Sequence, residues 1–199
     1  MGLNGGMPAL AVRAVDHGLW SPAWTIRDFR DPTGEISRWG HEGASIKEIL
    51  RGFPRSLYLD QWVPGNCLLN EGMNELWTLV CGTGATKFDS TNAYIGAGDS
   101  NTGEAAAQTG LQAASNKLYK AMDAGYPTYG TSQKGTWRST FGTTEANWPW
   151  EEVTVANGNS DAAKNLNRKV QSFGTKSALY ARITTAEITL SRFACPLFH

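Results

Sequence analysis

Residues 135–157, GTWRSTFGTTEANWPWEEVTVAN, carry three of the eight tryptophans of this 199-residue chain and constrain its fold more than any other stretch. Trp137, Ser139 and Phe141 alternate with Arg138 and Thr140, the period of two expected of a strand with one face buried and the other in water. Gly142 ends that run, Thr143 to Asn147 supply turn chemistry, and Trp150 to Val155 resume as a second strand rich in β-branched and aromatic residues. A β-hairpin is the expectation. Aromatic side chains of this size need a second layer to cover them, which assigns Trp137, Phe141 and Trp150 to a core between sheets.

Further strands are expected at Asn92 to Ser100, Lys117 to Met122 and Leu166 to Phe173, each closed by Gly, Asn or Asp, and at Leu179 to Leu190, a long final strand dense in Ile, Thr and Tyr. Six or so short strands with turns every dozen residues point to a mainly β chain, an antiparallel β-sandwich of jelly-roll-like form. One convincing helix is expected, over Asn66 to Gly82. Leu69, Met73, Leu76, Trp77 and Val80 fall on one stripe there, which packs the helix on a sheet and adds Trp77 to the domain core. The sandwich domain then spans 66–191, and 192–199 is a tail.

Residues 1–65 read differently. Gly, Pro, Trp and Arg recur there without period, and only Ser45 to Leu50, with Ser45 as cap, suggests a helical turn or two. Trp20, Trp24, Phe29, Trp39 and Trp62 make the segment too apolar for a disordered tail. It is either an extended arm that docks through Trp20, Trp24, Trp39 and Trp62 on a neighbouring surface, or a loop-rich subdomain folded back on its own core.

The chemistry-bearing residues do not cluster. Eighteen basic residues against eighteen acidic ones leave no net charge and no basic stripe, which disfavours nucleic acid or an anionic membrane as partner. No apolar run reaches the length of a bilayer span, and the first residues lack the apolar core of a signal peptide, so a soluble product made in a cytoplasm is expected. Cys67, Cys81 and Cys195 match neither a disulfide framework nor a metal pair, and His17, His41 and His199 are scattered. Gly96-Ala97-Gly98 lacks the Lys and the spacing of a phosphate loop, and Asp99 with Glu104 lacks the pattern of a calcium loop. Glu151 and Glu152 are adjacent, so a strand points them to opposite faces, and Asp16, His17 and Ser21 offer triad residue types without triad geometry. No catalytic residue, cofactor or metal is expected.

The order of segments LLNEGMNELWTLVCG, NAYIGAGDSNTGEAAAQTGLQ, YKAMDAGYP, TFGTTEANWPWEEVTVANG, NLNRKVQSFGTK and ARITTAEITLS resembles a group of small structural proteins of tailed bacteriophages, over about residues 66 to 191. The resemblance implies a non-enzymatic virion component made in the host cytoplasm. Its expected work is capsid decoration: binding other virion proteins, the major capsid protein among them, and its own copies. A neutral surface with more aromatic bulk than the strand pattern can bury points separately to self-association, with a trimer the expected state. The alternative it leaves is a tail, fibre or baseplate component whose aromatic residues stack on host glycans.

Overall fold

The computed structural model describes residues 18–192. Its spine is a pair of thirteen-residue strands, β1 (Gly18–Arg30) and β10 (Tyr180–Arg192), antiparallel along their whole length from Gly18 opposite Arg192 to Arg30 opposite Tyr180. On the free side of β1 lies β2 (Leu57–Pro64). On the free side of β10 lies β7 (Lys134–Phe141), which forms a tight hairpin with β6 (Thr128–Thr131). Ser132 and Gln133, with φ of 55° and 53°, make that turn in the left-handed region, as the twist of a two-residue hairpin loop requires.

The second sheet holds β3 (Cys67–Leu68), β4 (Tyr94–Gly98), β5 (Lys117–Ala121), β8 (Glu152–Ala156) and β9 (Asn167–Val170). The two five-stranded sheets have the orders β2-β1-β10-β7-β6 and β3-β9-β8-β4-β5, and all their pairings are antiparallel. Trp24, Ile26, Val63, Phe141, Ala186 and Ile188 of the first sheet close on Ile95, Ala97, Val153 and Val155 of the second. This is the expected antiparallel β-sandwich.

The helices cover what the sandwich leaves open. Phe29, Ala181 and Ile183 point out of the first sheet and are buried under Ile36 of α1 (Glu35–His41) and Ile49 of α2 (Ile46–Gly52). Asp31 fixes the start of α1 by accepting from the backbone N–H of Ile36 and Ser37 at 3.1 and 2.9 Å. Ser45 and Glu48 form a full capping box at the start of α2, so the cap expected from the sequence is present.

Four expectations are corrected. Residues 18–65 are no arm: β1 is an interior strand of the sandwich, and β2 extends the same sheet. Pro22 is tolerated there because β2 first pairs at Ala23, leaving Pro22 without a strand on that side. The stretch at 135–157 is not a hairpin, since β7 and β8 lie in opposite sheets and residues 142–151 cross between them. Arg138 and Thr140 do not meet water, because α1 lies over that face of β7 and both are buried.

The fourth correction concerns α3 (Asn70–Cys81), which starts four residues later than expected and presents a different face. A Cβ on Gly72 would sit 2.5 Å from Cα of Leu166, so the helix backbone is seated directly on that segment. Glu71 accepts from the N–H of Asn165 at 2.9 Å, and Glu75 accepts from Thr86 N–H at 2.8 Å and Asn157 Nδ2 at 3.0 Å. These polar anchors, with Leu76 and Leu79 packed on the core, turn Met73, Trp77 and Val80 outward. The predicted tail lies outside the described residues apart from Arg192, where β10 ends, as do His17, Cys195 and His199.

Candidate contact surfaces

The interior charges are engaged in holding the fold. Arg138 Nε donates to Asp123 at 2.8 Å, while its Nη1 and Nη2 donate to the carbonyls of Ala44 and Gly40 at 2.9 and 3.0 Å, which clamps the α1–α2 segment onto β7. Arg168 pairs with Glu152 at 2.6 Å and donates to Thr102 O and Gln108 Oε1, tying the 99–116 loop to the second sheet. Arg182 is bidentate to Asp28 at 2.6 and 2.7 Å and lies over the Trp150 ring at 4.7 Å. All three pairs are buried, so their charges are spent on specifying how these segments sit.

Other titratable groups are shifted by the same packing. Lys176 is buried and donates to Gly142 O at 2.7 Å and Asn147 Oδ1 at 2.9 Å. Burial first, and the Arg182 charge second, lower its ammonium to a pKa of about 8. Burial pushes the Tyr119 phenol up, helped by Asp161, whose carboxylate accepts from it at 3.0 Å. Burial also raises the Cys67 thiol, whereas Cys81 is exposed. Asp99 accepts from Asn116 and Glu104 from the Val170 N–H, each with its own partner. Among the described residues no group of three or more His, Cys, Asp or Glu is placed to hold a metal ion, and no helix is long and apolar enough to cross a membrane.

The structure divides the tryptophans into core and surface along lines the sequence reading missed. Trp24, assigned to partner contact, is 0% exposed and central in the sandwich. Trp150 and Phe141 are core as expected. Trp137 is half-buried at the rim and donates its indole N–H to Phe88 O at 3.0 Å. Trp20 is likewise half-buried, donating to Asn66 Oδ1 at 3.2 Å. Trp39 packs edge to face on Phe53, with ring centroids 5.3 Å apart.

Two tryptophans remain in solvent. Trp77, assigned to the core, is 60% exposed and forms with Met73 and Val80 an apolar stripe along α3. Trp62 is 64% exposed on the edge strand β2, beside the Arg27–Asp60 ion pair at 3.0 Å, and Leu57 and Tyr58 are exposed on the same strand. The signal that could have located the α3 stripe is Gly72 with Glu71 and Glu75: a helix seated through a glycine and two carboxylates must show another face to water. Such apolar area on an otherwise well-packed fold makes the α3 stripe and β2 the candidate contact surfaces. Compared with known protein families, curated proteins and solved structures, the chain matches none.

Proposed function

We propose that the protein is a structural component of a tailed-phage virion, a capsid decoration or cement protein that binds the shell and its own copies. The observation that carries this reading is the Met73–Trp77–Val80 stripe, held rigidly outward by the polar seat of α3. An aromatic anchor on a fixed helix loses little freedom when it docks, and such anchors dominate interface energy. The virion setting comes from the resemblance over 66–191; the major capsid protein is the proposed partner, and a trimer the proposed state of self-association.

The test is to add the purified protein to particles depleted of it and measure what co-sediments. A Trp77→Ala/Val80→Asp variant that melts like the parent is expected to lose most of its occupancy; equal occupancy overturns the reading. A second reading places the protein in the tail, fibre or baseplate with a host-glycan role. It is favoured by Trp62, an open aromatic face with the Arg27–Asp60 pair beside it. Detection of the protein on purified heads lacking tails decides between the two.

A further inference from the structure

The helical pair that covers the outer face of the first sheet forms a cleft of about 590 Å³, lined by Trp39, Glu42, Gly43, Ala44, Glu48 and Arg51 together with Gly52. Its volume falls within the roughly 300–1,000 Å³ of small-molecule sites. Trp39 is held there from one side by Phe53, and a Cβ on Gly52 would stand 3.0 Å from its six-membered ring, so the absence of a side chain at Gly52 leaves the ring room. The indole is thus a fixed element of the wall.

The polar groups around the ring set the chemistry of a ligand. Arg38 takes both oxygens of Glu42 at 3.0 Å and neutralises it. Glu48 directs Oε2 at Ser45, and its other oxygen has no partner among the described residues. Arg51 makes no hydrogen bond or ion pair among the described residues, and its charge lies near enough to Glu48 to help hold that carboxylate below its usual range, after the hydrogen bonds from Ser45. The four charges cancel. A net-neutral cleft with one aromatic wall, one free acceptor and one free fork of donors selects against strong anions and cations alike. It fits a molecule with an apolar C–H face and neighbouring hydroxyls that both donate and accept.

We propose that this cleft binds a neutral saccharide, one ring stacking on Trp39 while its hydroxyls donate to Glu48 and accept from Arg51. The site is separate from the α3 stripe and stands whether the protein sits on a head or a tail.

The test begins with the full chain on an array of neutral hexose and N-acetylhexosamine oligosaccharides, with uronic-acid and glucosamine oligomers as charged controls, followed by calorimetric titration of the strongest neutral binder. Arg51→Ala and Glu48→Gln are expected to weaken that binder at least tenfold with an unchanged melting temperature, because both side chains are exposed and Gln preserves the capping box. Trp39→Ala also removes packing on Phe53, so Trp39→Phe serves beside it and is expected to retain part of the affinity. No binding to any neutral saccharide, preference for a charged control, or binding indifferent to Arg51→Ala and Glu48→Gln overturns the proposal.

Discussion

Phe141, the last residue of β7, and Trp150, two residues before β8, meet edge to face at 4.6 Å although their strands belong to opposite sheets. The eight residues between them, 142–149, are therefore pinned at both ends by one aromatic contact, and the Trp150 indole N–H donates back into that segment, to Ala146 O at 2.9 Å. Phe141→Ala and Trp150→Ala are each expected to cost about 3–5 kcal/mol. Because the two rings share one contact, the double variant should lose less than the sum, which urea denaturation of the four proteins measures.

Arg138 carries a second prediction. Arg138→Met removes the guanidinium but leaves Asp123 buried beside Thr140, and it frees the carbonyls of Gly40 and Ala44. Breaking one side of a buried pair costs about 3–5 kcal/mol. Hydrogen exchange should then show loss of protection concentrated in residues 35–52, with the β1–β10 pairing exchanging at its former rate relative to global unfolding. Uniform loss across the chain would mean that Arg138 does not act as the clamp.

Helix α3 separates a seating residue from a docking residue. Gly72→Ala places a methyl group 2.5–2.6 Å from the backbone of Asn165 and Leu166, where no flexible side chain can yield, and is expected to destabilise the fold by about 1–3 kcal/mol. Trp77→Ala, five residues on and exposed, should stay within about 0.5 kcal/mol of the parent. Thermal melts of the two variants check the contrast. A large loss at Trp77 would return it to the core, where the hydrophobic periodicity had placed it.

What the sequence revealed and what it hid follow from one physical distinction. Strands bounded by turn residues, such as β4 and β5, or dense in β-branched residues, such as β10, announce themselves by composition, and the Ser45–Glu48 box announces α2. β1 was concealed because its inner row includes Asp28, which looks solvated until Arg182, 154 residues away, is known to pair with it. The outer row is hidden for a related reason: Phe29 and Arg138 are covered by helices that sit on the outside of the sheet. The stripe on α3 misled because periodicity marks an apolar face without saying what covers it. The Trp39 cleft needed α1, a seven-residue helix whose start depends on Asp31 rather than on a recognisable cap.

The place of β1 in the sheet makes truncation decisive. A chain that begins at Asn66 lacks β1 and β2, so β10 loses its thirteen-residue partner and Ile95, Val153 and Val155 lose the cover of Trp24 and Ile26. It is expected to be insoluble or to lack a cooperative unfolding transition, whereas the full chain is expected to unfold cooperatively. Circular dichroism during heating distinguishes them. A cooperative transition in the shortened chain would mean that the second sheet and β6–β7–β10 form a core without β1.

Lys176 gives the fold a dependence on alkaline pH whose sign can be worked out. Its ammonium, ordinarily near 10.4 in an unfolded chain, is lowered to about 8 by burial, with the Arg182 charge adding to the effect and Asp28 and Glu145 opposing it. Below pH 8 the group is protonated in both states, and the fold bears the whole cost of burying the charge. Between about pH 8 and 10.4 the unfolded chain binds more protons than the folded one, so stability contributed by this group rises with pH. The gain is on the order of 1–3 kcal/mol. Lys176→Met removes the titration together with the hydrogen bonds to Gly142 O and Asn147 Oδ1. Urea midpoints of parent and variant, measured from pH 7 to 10, are therefore expected to diverge upward in favour of the parent, with other titrating groups cancelling in the difference. Parallel curves would mean that Lys176 keeps an ordinary ammonium in the folded protein, and a divergence of opposite sign would mean that the buried amine is stabilised in its charged form.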